Sequence, residues 1–250
     1  MPDLARYGLL CLVVLITNYQ EGVTGFGCTA LALPFAIMLF GLDVAKPTLV
    51  ILALVLNLGN VLLSRKKIVW REYFIIIVLA GLGLPFGMWI AEALPERALK
   101  LVLAVFMAGI GVHGVATLGR ASGGKMSKRV RMLVSGFLPI GGAIHGAFGS
   151  GGPLVVVYAT RVLGDKSVFR VTLSLVWLTL NTILIASWAT QGVMRAEHLR
   201  LAAICLPFTL TGLFIGNHAH RRIDELAFKR MVYWVLCASG IALAWSALAR

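Results

Sequence analysis

Two short stretches of the chain set ionisable residues beside glycines inside otherwise apolar sequence. One is Glu21-Gly22-Val23-Thr24-Gly25-Phe26-Gly27. The other is His145-Gly146-Ala147-Phe148-Gly149-Ser150-Gly151, followed by Gly152 and Pro153. Both follow one template, a polar residue and then Gly-x-x-Gly-x-Gly, and they stand 124 positions apart in a chain of 250 residues. A glycine break in an apolar helix frees backbone N–H and C=O groups. At membrane depth that is tolerated only where the break lines a cavity or is enclosed by protein. Matched breaks in two halves of a chain point to a transporter binding site.

The chemistry on offer is anion binding. Free N–H groups followed by a helix N-terminus combine unpaired donors with the positive end of the helix dipole. Gly22, Gly25, Gly27, Gly146, Gly149, Gly151 and Gly152 permit close backbone approach, and Pro153 suits the first turn of a following helix. Glu21 and His145 hold equivalent places at the edges of the breaks. Ionisable groups inside spans default to a functional role, so both are expected to bind substrate and to be the candidates for proton coupling. Asn57 and Asn181, also 124 apart, can donate to an anion or bridge helices. Gln20, Thr24 and Ser150 are further expected lining groups. The plainer alternative makes the glycines helix-packing contacts and Glu21 and His145 caps for freed backbone. Lys46 and Arg170 lie near expected helix ends, where snorkelling is the default. His218 and His220 lie among loop arginines and are expected to be solvated.

These residues need helices to hold them. The chain is 59% hydrophobic and 13% charged, with a mean hydropathy of +0.90, against about a quarter charged in soluble domains. An all-α integral membrane protein follows. Its net charge of +13 is spread over short connections, as orienting charge is, and no basic face suited to nucleic acid appears. The four cysteines, Cys11, Cys28, Cys205 and Cys237, lack metal-ligand spacing and read as buried thiols. No metal, cofactor or nucleotide-binding loop is expected. Residues 4–20 read as a first membrane helix rather than a cleaved leader.

Apolar runs fall at 4–20, 29–41, 47–63, 73–91 and 98–118, then at 132–147, 153–163, 168–189, 198–216 and 227–247. The expected fold is two inverted-topology repeats of about five helical segments. The first two segments of each are short and joined by the glycine break at mid-membrane. The expected division is 1–118 for the first repeat, 119–131 for a cytoplasmic linker and 132–250 for the second repeat. Lys and Arg in 64–72, 119–131 and 217–230 place those loops in the cytoplasm, with 92–100, 190–200 and both termini outside.

The paired motifs, together with length and two-repeat layout, resemble the TauE/SafE family, also called the 4-toluene sulfonate uptake permease family. The resemblance implies a multi-pass carrier of the bacterial inner membrane. It also implies small, often sulfur-containing anions as substrates, such as sulfite, sulfoacetate and related organosulfonates. Expected partners are that anion, the bilayer, H⁺ or another coupling ion, and further copies of the chain. Two other readings stand beside it: an anion channel, and an intramembrane serine protease with Ser150 as nucleophile and His145 as base.

Overall fold

A computed structural model describes residues 3–117, 128–150, 152–220, 222 and 225–248. Within the described residues each apolar run is largely helical, the run expected at 132–147 being divided at Gly136 into two helices. The first half holds α1 (Asp3–Thr24), α2 (Cys28–Phe40), α3 (Leu42–Ser64), a 3₁₀ turn (Arg65–Lys67), α4 (Trp70–Ala93) and α5 (Glu96–Thr117). In the second half are α6 (Lys128–Ser135), α7 (Phe137–Phe148), α8 (Gly152–Val162), α9 (Lys166–Thr190), α10 (Ala196–Ala219) and α11 (Glu225–Leu248). No strand occurs among the described residues. The end of the expected linker, 128–131, is the start of α6, while 118–127, with Arg120 and Lys125, lie outside the described residues.

Five helices among the described residues are long and apolar enough to cross a membrane: Leu42–Lys67, Trp70–Ala93, Arg97–Thr117, Lys166–Thr190 and Ala196–Ala219. On α4, Ile76, Ala80 and Leu84 are buried, whereas Phe74, Val78, Leu82, Phe86 and Trp89 are exposed. An outward stripe of that size suits hydrocarbon rather than water. This is a multi-pass membrane protein.

The segments flanking each break form hairpins. Tyr7 stacks on Phe40 with ring centroids 5.7 Å apart, and Arg6 donates to the Leu39 carbonyl. The start of α1 therefore lies beside the end of α2, and the break is the tip between them. At 22 residues, α1 is longer than expected and reaches far down the bundle before the break. The second hairpin is tied at its base by Glu72 of α4, which accepts from Arg131 Nη2 of α6 at 2.7 and 3.0 Å and from the hydroxyl of Tyr158 of α8 at 2.8 Å.

α3 and α9 run antiparallel against one another. The Val69 N–H, just beyond α3, donates to Thr172 Oγ1 near the start of α9 (3.2 Å), and Lys46 near the start of α3 lies over the Trp188 ring near the end of α9 (5.1 Å). The first hairpin enters from the end where α3 begins, and the second from the end where α4 begins. Asp165 caps α9 by accepting from the Ser167 and Val168 N–H groups, both at 2.9 Å. The Val168 bond, and then that of Ser167, hold its carboxyl below the ordinary value. The four cysteines are free, Cys11 and Cys205 with sulfurs 3.8 Å apart.

The halves interlock through glycine contacts, with α1 on α10 and α7 on α4. A Cβ on Gly216 would lie 2.9 Å from Gly22 Cα, and one on Gly146 would lie 2.3 Å from the Leu84 carbonyl oxygen. Backbones approach this closely only where side chains are small. A methyl on Gly142 would fall 1.8 Å from the Ala80 carbonyl oxygen, whereas one on Gly81 meets nothing within 4 Å. Gly142→Ala is therefore expected to destabilise by about 1–3 kcal/mol and to lower the melting temperature in detergent. Gly81→Ala on the open face of the same helix pair should leave it unchanged.

Candidate functional site

The breaks begin as helix ends. Gly25 (φ +83°) and Gly149 (φ +66°) are left-handed, and their N–H groups donate to the Glu21 and His145 carbonyls, both at 2.6 Å. Neighbouring helices add to both positions a need for glycine. A Cβ on Gly25 would lie 2.7 Å from Arg170 Cα of α9, and one on Gly149 would lie 2.4 Å from Val50 Cγ2 of α3. Each tip is pressed against the long helix that follows the hairpin of the opposite half, α9 for the first and α3 for the second.

The carbonyls freed at the first break are taken up by named donors. Arg170 Nη1 donates to Gly22 O (2.8 Å), Trp177 Nε1 to Gly25 O (3.1 Å) and His220 Nδ1 to Val23 O (2.6 Å). Gln20 Nε2 donates to Phe26 O (3.0 Å) and to Thr24 Oγ1 (2.9 Å). At the second break, Lys46 Nζ donates to Gly146 O (3.1 Å). A cation at a helix C-terminus is favoured by the dipole as well as by the hydrogen bond. Lys46 and Arg170 thus do the same job for opposite halves.

These contacts correct three expectations. Arg170 is buried rather than snorkelling, because an interior carbonyl and Asn217 Oδ1 (2.9 Å) accept from it. Lys46 turns inward for the same reason. His220 is buried, while His218 is exposed as expected.

Between the tips lies a cavity of about 20 Å³, on the scale of one water molecule. It is lined by Glu21, Gly27, Thr29, Ala30, Ala53 and Asn57 of the first half and by His145, Gly149, Ser150, Trp177 and Asn181 of the second. Asn57 Nδ2 donates to Glu21 Oε1 (2.9 Å), and the Cys28 N–H donates to Glu21 Oε2 (2.7 Å). His145 Nε2 lies 3.0 Å from Asn181 Oδ1. That contact puts the imidazole proton on Nε2, and the ring stacks on Trp177 with centroids 5.7 Å apart. Glu21, Asn57, His145 and Asn181 are all nearly free of solvent exposure.

Of the expected site residues, Glu21, Gly27, Asn57, His145, Gly149, Ser150 and Asn181 converge on the cavity. Gln20, Gly22, Thr24, Gly25 and Gly146 lie beside it and build the breaks or the helix contacts. Gly152 opens α8, and Gly151 lies outside the described residues. Thr29, Ala30, Ala53 and Trp177 went unforeseen. Ala53 and Trp177 precede Asn57 and Asn181 by one helical turn and so share their faces, which was the available signal.

A larger cavity of about 370 Å³ lies where α3 and α10 begin and α4 and α9 end. Its lining includes Asp43, Lys46, Glu92, Ala147, Arg195 and His198. Ala147 belongs to the second break, so this vestibule reaches the tip that Lys46 holds.

Paired breaks meeting at a small cavity lined by buried polar side chains inside a multi-pass bundle are the architecture of a membrane transporter. The family model for Sulfite exporter TauE/SafE matches residues 10–243, and the chain belongs to that family of membrane transporters. It is 24% identical over 182 residues to the "Probable inner membrane transporter protein TsaS" of Comamonas testosteroni, covering 72% of this chain and 74% of the relative. No solved structure matches the chain significantly.

Arg170→Met would leave the Gly22 carbonyl and Asn217 without this donor inside the protein. The expected cost is about 1–3 kcal/mol, read as a lower melting temperature in detergent. Arg170→Lys, which keeps the charge and one donor, should recover part of it.

Proposed function

We propose that this protein is a secondary carrier of small, sulfur-containing anions in the bacterial inner membrane, working by alternating access around the cavity between the two breaks. The observation that carries the reading is the convergence of Glu21 and Asn57 from one half with His145, Ser150 and Asn181 from the other on a single small cavity. Substrate binding at these residues, at Gly149 and Gly151, and at Gly152, the first residue of α8, fits the donor-rich end of a broken helix. The name of the family supports a sulfur oxyanion, and that of the curated relative supports the inner membrane.

Division into repeats 1–118 and 132–250 is supported by the exchange of equivalent contacts. α1 packs on α10 as α7 packs on α4, and Arg170 holds Gly22 as Lys46 holds Gly146. Positive loop charge supports the inverted orientation, and with it an outer-face position for the 370 Å³ vestibule. At the other end, Arg170, Asn217 and His220 cover the first tip. The arrangement favours an outward-facing conformation closed around its centre. A substrate larger than water needs the tips to part, which rocking of one repeat against the other supplies.

In proteoliposomes loaded with sulfite or sulfoacetate, the wild type should give saturable counterflow. Asn57→Ala and Asn181→Ala, which leave Glu21 and His145 without their amide partners, should each reduce it at least about tenfold, the scale of a buried hydrogen bond to a charged or polar partner. Flux without saturation or counterflow would make the protein a channel. With H⁺ as the coupling ion, carried by Glu21 or His145, the Glu21→Gln, His145→Gln double variant should lose the pH dependence of uptake. A profile identical to wild type would remove both residues from coupling.

A further inference from the structure

The two ends of the bundle are built from matching positions that carry different residues. Glycine contacts set the correspondence between α10 and α4. On α10, a Cβ on Gly212 would crowd the Leu15 carbonyl oxygen, and one on Gly216 that of Tyr19. On α4, a Cβ on Gly83 would crowd the Pro139 carbonyl oxygen, and one on Gly87 that of Ala143. Leu15 and Tyr19 stand 124 positions before Pro139 and Ala143, the spacing of the breaks themselves. Gly212 and Gly216 each follow their mates by 129 positions, so Asn217 and His220 correspond to Met88 and Ala91. At one end, Arg170 Nη1 donates to Gly22 O (2.8 Å) and to Asn217 Oδ1 (2.9 Å), and His220 Nδ1 donates to Val23 O (2.6 Å). At the other, Lys46, Met88, Ala91 and Ala147 hold the places of Arg170, Asn217, His220 and Val23, and all four line the 370 Å³ vestibule. Lys46 reaches Gly146 O, but a thioether and a methyl group replace the amide and the imidazole.

We propose that Asn217 and His220 form, with Arg170, a lock that holds the end away from the vestibule shut and sets the resting conformation of the carrier. The proposal rests on the alternating-access reading above and deepens it. Arg170 and Asn217 join α9 to α10, and His220 joins the end of α10 to the first tip. The three residues thereby draw α1, α9 and α10 together, and their bonds must open before the central cavity can reach that side. At the vestibule end the lock is half built. Met88 cannot accept from Lys46 as the Asn217 amide accepts from Arg170, and Ala91 has no donor to offer the Ala147 carbonyl. A scaffold with equal ends would populate both openings. A difference of two buried hydrogen bonds biases it toward one of them. Asn217 and His220 lie off the central cavity, so they are positioning residues that act on the equilibrium between the two openings.

The test compares cysteine reporters at mated positions, Val23→Cys and Ala147→Cys, in a chain whose four native cysteines are replaced by alanine. N-ethylmaleimide is neutral and crosses the bilayer, so its reaction rate in proteoliposomes reads water access at either end. With the lock intact, Ala147→Cys should react at least about tenfold faster than Val23→Cys, the scale of two buried hydrogen bonds. Asn217→Met with His220→Ala copies the vestibule end and should bring the two rates within about threefold. Adding Met88→Asn and Ala91→His, which grafts the lock beside Lys46, should reverse their order. Asn217→Ala alone is the arm least exposed to misfolding and should narrow the ratio by at least about threefold. Residues that only stabilised the fold would lower the melting temperature and leave the ratio unmoved. A ratio unmoved by Asn217→Ala, or reporters that react equally fast with the lock intact, overturns the lock and leaves the carrier reading standing where the wild type shows sulfite counterflow. Absence of counterflow in the wild type overturns that reading and this proposal with it.

Discussion

A helix broken inside a membrane releases backbone groups that water cannot reach, and each must find a partner in the protein. That requirement organises this structure. The hairpin tips are satisfied only in part within their own hairpins. Gly22, Val23 and Gly25 are held by Arg170, His220 and Trp177, and Gly146 is held by Lys46. Close glycine contacts then bring α1 against α10 and α7 against α4. The binding cavity is what remains where two such tips meet.

Equivalent positions in the halves carry different residues, and the differences fall at the cavity. Glu21 stands opposite His145, and Ala53 corresponds in sequence to Trp177. One wall presents a carboxyl group held by two N–H donors, and the other an imidazole stacked on an indole. A symmetric scaffold therefore surrounds an asymmetric polar centre. Small ligands are oriented by such a centre rather than merely enclosed.

Much of this was legible in the sequence, and the reason is local. Gly-x-x-Gly-x-Gly at matched places in two apolar runs pointed to a pair of breaks, and the apolar runs marked most helices to within a few residues. α3, which begins at Leu42 with Pro47 inside it rather than at its start, departs most among the first-half helices. Asn57 and Asn181 stood out as polar residues in long apolar stretches. What stayed hidden depends on distant parts of the chain. Arg170 and His220 look like ordinary interfacial cations until the carbonyls 148 and 197 positions earlier are brought against them. Nothing in their neighbourhood in sequence distinguishes an inward-turned arginine from a snorkelling one. The small size of the central cavity likewise follows from packing that no single segment specifies.

The crossed pairing of the halves bears on how the chain is made. Synthesis runs from the N-terminus, so the first tip leaves the ribosome well before Arg170, Trp177 and His220 exist to receive its carbonyls. Until the ninth and tenth helices are inserted, that tip must rest against lipid headgroups, water or the insertion machinery. The first half is thus a lodger in the membrane until the second half arrives, and the two become one stable body only once α9 and α10 are in place.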